Sequence, residues 1–552
     1  MNTTAQVLAA SLRAYGVDTV FGIPGTHNLA VYQALAEAGV RFVTTRHEQG
    51  AGYAADGYAR VSGRAGVVLT TTGPAVLNAA TALAQAYSDS SPVLLISPGV
   101  PLGHPRHARG YLHESKDQSR ALDALCAWSH RVTSPAEIPA AVSRAFVSFA
   151  EGRPRPVHLE IPLDLLDLPT PAVPASPYPV PPRAPDPAAV TSALTLLRTA
   201  LRPAIVLGGG VHHSRAGTLA LTLAERFGAP IVTTANGKGS VPESHPLVLG
   251  ATLHLRSIRE WLATRDVVLA VGTELAPSDL WVDDFRLTGS LIRIDLDPSQ
   301  MHGDHPATVP LLADATLALE ALNAQGDLAG SADPAGSPAQ QPEFAGSAWS
   351  GAELPGLVGS AGLGADPPEA AAELGILAAR WAPQLEALRD GLPADTIVVA
   401  DNSMFCYYGA LGGLPVDPPG RFLFPTGYGT LGFALPAAIG AKLARPEAPV
   451  VALAGDGAFQ FSVQDLATAV ELGLPLPIVV SVNGGYGEIR AEMLARGMPP
   501  VAVDLHTPDF VALAVAYGAR GAAADTPREL GEAVGKALRA PVPTVIVLRE
   551  AR

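Results

Sequence analysis

Short runs of apolar residues alternate with amphipathic stretches along nearly the whole chain. In the first third the runs fall at residues 19–23, 41–45, 66–70 and 93–97. A strand covered on both faces reads as an unbroken apolar run, and the helix-like stretches between the runs supply the cover. The alternation therefore predicts an α/β fold of parallel sheets with helices on both faces. The first unit closes near residues 157–162, and the proline-rich stretch 167–187 reads as an extended linker. A second unit has runs at 203–207, 230–234, 266–271 and 290–295 and ends near Asn323. From 324 to 368 glycine, alanine, serine and proline dominate without periodicity, the composition of a flexible linker or insert. The third unit opens with a helix over 369–391, followed by strands at 396–400, 450–454, 477–482 and 544–548. The expected organisation is three doubly wound parallel-sheet domains at 1–166, 188–323 and 369–552, with 324–368 as a linker and no short tandem repeat.

Composition narrows the partners. Of 552 residues 48% are hydrophobic, enough for several buried cores. The formal net charge is −14, which argues against nucleic acid or an anionic membrane as partner, because phosphate surfaces select basic proteins. Two cysteines, Cys126 and Cys406, are too few for a disulfide framework or a thiolate metal site, so a reducing cytoplasm is expected. The first ten residues lack a basic region followed by an apolar core, and no run is long enough to span a bilayer. A small molecule is the partner that remains.

The segment that carries chemistry is 449–489, PVVALAGDGAFQFSVQDLATAVELGLPLPIVVSVNGGYGEI. One apolar strand ends in Gly455-Asp456-Gly457, and the next ends in Asn483-Gly484-Gly485. Both turns then lie at the carboxyl ends of parallel strands, where open α/β sheets bind ligands. Mg²⁺ takes oxygen ligands, commonly one or two protein carboxylates plus phosphates. Asp456 offers a carboxylate, Asn483 an amide oxygen and Gly485 a backbone carbonyl. A GDG alone is a common strand-to-turn signal. GDG, an asparagine on the next strand and GGYG after it are together much more specific.

This segment resembles the diphosphate motif of thiamine-diphosphate enzymes, GDG followed by about two dozen residues and then NN, with Val482 in place of the first asparagine. The resemblance implies that Asp456, Asn483 and Gly485 hold Mg²⁺ and that Gly455, Gly457, Ala458 and Tyr486 bind thiamine diphosphate. Residues 41–63, RFVTTRHEQGAGYAADGYARVSG, resemble the family's N-terminal signature. Glu48 is then the catalytic carboxyl that bonds the cofactor's pyrimidine nitrogen; read alone, it would be a glutamate complementing a helix dipole. In 426–440, TGYGTLGFALPAAIG, Leu431 matches the aliphatic residue over which the cofactor bends, and the Gly429 carbonyl matches the partner of its amino group. Asp401 and Ser403 resemble a loop that helps bind the diphosphate. In this family a cofactor lies between the first domain of one subunit and the third of another, which implies a homodimer or homotetramer with active sites between subunits.

The family contains decarboxylases, acetolactate synthases, carboligases and acyl-CoA lyases. The N-terminal third is most similar to acetolactate synthases in FGIPGTHN, RHEQGAGYAADGYARVSG and TTGPAVLNAATAL. In the loop ARGYLHES, however, Leu112-His113 replaces their Phe-Gln pair. His113 is a candidate acid–base and substrate group, or else an exposed loop histidine. Benzoylformate decarboxylases carry a histidine at the end of the strand matching 66–70, and this chain has none there. LATAVELGLPLPIVVSVNGGYGEIRAEMLARGMPP and the LHES loop most resemble decarboxylases of 5-guanidino-2-oxopentanoate. Glu488 is the candidate partner of a guanidinium tail, or else a glutamate facing solvent or pairing Arg490. Gly208-Gly209-Gly210 does not by itself specify a dinucleotide, and FAD is not expected. The expected function is thiamine-diphosphate- and Mg²⁺-dependent, non-oxidative decarboxylation of a 2-oxo acid. The alternatives are an acetolactate synthase-like carboligase and a non-catalytic relative acting as a binding module. A nicotinamide dehydrogenase would need GxGxxG after the first strand, and GIPGTHN does not fit.

Overall fold

The computed structural model describes residues 1–104, 109–328 and 368–550. They form two compact units, Met1–Pro181 with Arg380–Arg552, and Pro182–Ala379. Three parallel sheets flanked by helices make up the fold, as the alternating pattern predicts. The N-terminal sheet runs in spatial order Arg41–Thr44, Thr19–Gly22, Gly66–Leu69, Val93–Gly99, Val157–Pro162 and Trp128–Arg131. The C-terminal sheet runs Arg421–Leu423, Ile397–Ala400, Val450–Gly455, Pro477–Val482, Thr544–Arg549 and Arg520–Ala524. Numbering each sheet's strands along the chain, both have the order 2-1-3-4-6-5. The two ends of the chain are thus one topology used twice, with no tandem repeat in the sequence to announce it. In each, the chain first steps one way and then crosses to the other side of its first strand. The crevice beyond the carboxyl ends of strands 1 and 3 is the topological switch point, where such sheets bind ligands.

In the three parallel sheets four strands fall outside the runs read from the sequence: Trp128–Arg131, Val309–Leu312, Arg421–Leu423 and Arg520–Ala524. All four are sheet edges. An edge strand pairs on one side and tolerates polar residues, so its sequence need not be continuously apolar. The helix expected over 369–391 is two helices, Pro368–Ala378 and Ala382–Gly391, with Pro383 in the first turn of the second. Proline has no N–H to give to a preceding turn and starts a helix more readily than it continues one. Pro368–Ala378 packs through Ala370 and Leu374 against Trp261 and Leu262, so it belongs to the central unit. Of the linker expected at 324–368, the first residues continue the helix Ala315–Leu328, and 329–367 lie outside the described residues. Among the described residues no helix is long and apolar enough to cross a membrane.

The two six-stranded sheets share one hydrophobic core. The helix Glu48–Ser62 crosses Ala434–Ala444, and both are made mostly of alanine and glycine at the crossing. A Cβ on Gly57 would lie 2.1 Å from the Ala437 carbonyl, and one on Gly440 would lie 1.9 Å from the Ala54 carbonyl. The small residues in AGYAADGYA and ALPAAIGA therefore permit backbone contact that any side chain would prevent. In the central sheet, Gly208 and Gly210 do the same against Gly272, where Cβ atoms would come within 2.2 Å of its carbonyl and 2.7 Å of its Cα. Close packing of strand ends accounts for that glycine run.

Candidate active site

The strand Val450–Gly455 ends at the switch point of the C-terminal sheet and turns directly into Asp456. The Asp456 carboxylate is buried, and its Oδ2 accepts from the Gly484 backbone N–H at 3.0 Å. Its Oδ1 is buried with no hydrogen-bond partner, and so is Oδ1 of Asn483 at the end of the adjacent strand. A buried oxygen left unpaired costs about 1–3 kcal/mol, so two together mark a place for a cation or donor. Burial pushes the Asp456 carboxyl above the usual range, against the pull of the Gly484 and Gly457 N–H groups. A bound cation would reverse that push. The Gly485 carbonyl faces the same turn, 3.5 Å from where a Cβ on Gly457 would stand. Tyr486 N–H bonds the Val503 carbonyl at 2.9 Å and Leu505 N–H the Gly484 carbonyl at 2.9 Å, so 503–505 clamps the loop along its length. One carboxylate, one amide oxygen and one carbonyl suit a hard, oxygen-seeking ion such as Mg²⁺.

Across the switch point, Ser403 packs so close to Gly455 that a Cβ there would lie 2.9 Å from its own. Asp401 is placed differently from the expectation that it contacts the diphosphate. Its carboxylate is fully buried and accepts from the N–H groups of Asn402, Gly432 and Ala434 at 3.0, 3.1 and 2.9 Å. Asn402 donates to the Pro425 and Thr430 carbonyls at 3.2 and 2.8 Å. The pair shapes the loop carrying Gly429 and Leu431. Gln85 holds the other side of that loop through the Thr430 N–H and hydroxyl and the Thr426 carbonyl. Gly429, at φ 69°, needs the left-handed conformation glycine adopts freely.

Glu488 opens the helix Gly487–Ala495 just beyond the cation loop. It is half-buried and does not pair with Arg490, which pairs with Asp504 at 3.2 Å. Its Oε1 accepts from the Tyr408 hydroxyl at 2.7 Å, and its Oε2 is buried without a partner. Tyr408 stands on the widened helical turn Phe405–Ala410 that follows Ser403.

At the N-terminal sheet, Glu48 is the first residue of its helix, after the edge strand Arg41–Thr44. Asn78, from the helix Pro74–Ser88, donates to its Oε2 at 2.9 Å. Thr72 lies at the switch point, after Gly66–Leu69, and its Oγ1 is 3.1 Å from His113 Nδ1. The His113 loop lies directly on Gly73, where a Cβ would sit 2.4 Å from the His113 carbonyl. His113 itself adopts φ 62°, a strained value for a residue with a side chain. Glu114 organises the loop by accepting from the N–H groups of Arg109, Gly110 and Tyr111. Thr72 also meets His27 Nδ1, at 2.6 Å. Sequence reasoning missed His27, Thr72, Asn78 and Tyr408. The first three lie inside GIPGTHN and TTGPAVLNAATAL, segments singled out as blocks without roles for single residues.

Comparison with known proteins identifies the family. Residues 2–121 match the N-terminal TPP binding domain of thiamine pyrophosphate enzymes, 190–322 the central domain and 403–548 the C-terminal TPP binding domain. A probable 2-ketoarginine decarboxylase of Pseudomonas aeruginosa is 40% identical over 96% of this chain and 90% of its own length. A probable acetolactate synthase large subunit of Methanocaldococcus jannaschii is 33% identical, over 97% of this chain and 89% of its own. A sulfoacetaldehyde acetyltransferase of Rhodobacter capsulatus is 31% identical, over 97% and 92%. With all three domain models matched and relatives this similar along about nine-tenths of their length, the chain belongs to the family of thiamine pyrophosphate enzymes.

Proposed function

We propose that this chain is a thiamine diphosphate- and Mg²⁺-dependent decarboxylase of 5-guanidino-2-oxopentanoate. The observation that carries the substrate is Glu488, a carboxylate with one oxygen on Tyr408 and the other buried and unpaired beside the cation loop. A planar guanidinium presents donors to such an oxygen in a charge-assisted bond. The relative named for 2-ketoarginine, the same compound, supports this reading.

Asp456, Asn483 and the Gly485 carbonyl are the residues that would hold Mg²⁺. Ser403, Gly455, Gly457, Ala458 and Tyr486 would hold the diphosphate, and Gly429 and Leu431 the bend of the cofactor. Asp401 acts at one remove, by shaping the loop of Gly429 and Leu431. Bound thiamine diphosphate would supply the electron sink that lets a 2-oxo acid lose CO₂. Glu48 would hold a proton at the pyrimidine nitrogen, kept in place by Asn78. His113 would serve the proton the reaction consumes. Large apolar side chains stay exposed beside both halves of the site, Leu77 next to Asn78 and Tyr428 and Phe461 near Leu431. A second copy covering them fits a homodimer or homotetramer with shared sites. Both cysteines are free and buried, in keeping with a cytoplasmic enzyme.

A second reading, carboligation of 2-oxo acids, draws on the relatives named as acetolactate synthases. His113 and Glu488 favour decarboxylation of a charged substrate over it. The test is CO₂ release from 5-guanidino-2-oxopentanoate by protein stripped with a chelator. Release should return only when thiamine diphosphate and Mg²⁺ are both restored; release without either would refute the assignment.

A further inference from the structure

Two histidines share one hydroxyl at the N-terminal switch point. His27 follows the strand Thr19–Gly22, and Thr72 follows its neighbour Gly66–Leu69. The His27 loop is clasped by Asn28, which accepts from Gly25 N–H at 2.8 Å and donates to the Ile23 carbonyl at 3.1 Å. His27 Nδ1 lies 2.6 Å from Thr72 Oγ1, and His113 Nδ1 lies 3.1 Å from the same atom. The two rings meet edge to face with centroids 5.3 Å apart. Thr72 is almost fully buried, and among the described residues these two rings are the partners of its hydroxyl.

A threonine hydroxyl has one proton and two lone pairs. It can donate to only one of the two Nδ1 atoms, so at least one ring must donate to it through Nδ1–H. When Thr72 donates to His27 and accepts from His113, the outer nitrogen of a neutral His113 ring carries a lone pair. When the two bonds reverse, that nitrogen carries a proton. The state of His113 Nε2 is therefore set by His27 through Thr72.

We infer that His27, Thr72 and His113 form a proton relay that delivers the one proton decarboxylation consumes, with His27 as a positioning residue. Converting a 2-oxo carboxylate to an aldehyde and CO₂ takes up one proton. As His27 Nε2, on a partly exposed ring, takes up a proton from solvent, the His27 Nδ1 proton passes to Thr72 Oγ1, the Thr72 proton passes to His113 Nδ1, and His113 gives up its Nε2 proton to the substrate. Both rings end neutral in the opposite tautomer with the Thr72 hydroxyl turned toward His27, and the net change is one solvent proton delivered. Burial and the neighbouring His113 hold the His27 ring below the usual histidine range, so it passes a proton on rather than keeping it. Asn78, in the helix that begins two positions after Thr72, bonds Glu48, so one segment carries both the relay's hydroxyl and the partner of the carboxyl assigned to the cofactor. The inference rests on the reading that His113 serves the substrate.

The test compares the holoenzyme with His113→Gln, His27→Gln, Thr72→Val, Thr72→Ser and the His27→Gln/Thr72→Val pair. General acid catalysis contributes about 10²- to 10⁴-fold, and His113→Gln should lose that much in kcat. His27→Gln and Thr72→Val should each lose about 10-fold or more in kcat, with KM within about 3-fold. The pair should lose no more than either alone, because both break one chain. Thr72→Ser should recover most of the loss. Histidine ring ¹⁵N spectra should show one fixed tautomer for each of the two rings, relaxing to a mixture in Thr72→Val. Multiplying losses in the pair, or unchanged ring tautomers in Thr72→Val, would overturn the relay while leaving His113 its role. An undiminished kcat in His113→Gln would overturn the role of His113 itself.

Discussion

Replacing Glu488 by glutamine isolates the charge that selects the substrate. Glutamine keeps a side-chain oxygen for the Tyr408 hydroxyl, 2.7 Å away in the wild type, and so preserves that packing. It turns the unpaired, buried Oε2 into a neutral amide. Removing one partner of a buried, hydrogen-bonded charge pair costs about 2–5 kcal/mol, and a remaining neutral hydrogen bond restores about 0.5–1.5. A net loss of about 2–3 kcal/mol corresponds to about 30- to 150-fold in kcat/KM for 5-guanidino-2-oxopentanoate. For 2-oxohexanoate, whose tail is neutral, the variant should be as good as the wild type or better, since no unpaired charge is then left against an apolar chain. Initial rates of CO₂ release on both substrates read the difference directly. An equal fall on both would show that Glu488 supports the fold of its helix and does not choose the substrate.

Glu48→Gln should leave thiamine diphosphate binding, followed by fluorescence quenching, within a few-fold of wild type while reducing turnover more than about 100-fold. Asp456→Ala removes a buried charged ligand and should weaken Mg²⁺-dependent cofactor retention by about 3 kcal/mol or more, over about 100-fold, in equilibrium dialysis. Burial pushes the Asp401 carboxyl up to about 7 from an ordinary value of 3.8. The folded state then holds a proton that the unfolded chain has released, so this group withdraws stability as pH rises from about 4 to about 7. Asparagine does not titrate, so melting of the cofactor-free protein should show the wild type losing ground to Asp401→Asn as pH rises from about 4.5 to about 7.

The central strands were legible because a strand buried on both faces, such as Val450–Gly455 or Val93–Gly99, leaves an unbroken apolar run. Edges such as Trp128–Arg131 were not, because a strand half in solvent carries polar residues and gives no run. The cation loop was legible for another reason: the donors a hard ion needs fall on two adjacent strands, and only a few residue types can supply them. Asp401 shows the limit of that reasoning. A carboxylate at a strand end is equally a phosphate-loop residue and a cap for backbone N–H groups, and only the positions of Gly432 and Ala434 decide between them. His27 shows a second limit, since its meaning depends on Thr72 and His113, which lie 45 and 86 positions away in the chain and meet only in the fold.

The central claim, a decarboxylase for a guanidinium-bearing 2-oxo acid, is tested most directly by one comparison. Steady-state kcat/KM should be measured for 5-guanidino-2-oxopentanoate and for pyruvate, with thiamine diphosphate and Mg²⁺ present and the products identified. The account predicts a preference for the guanidino acid of at least about 30-fold, matching the charge pair at Glu488, with 4-guanidinobutanal as the product. A preference for pyruvate, with acetolactate as the product, would contradict it.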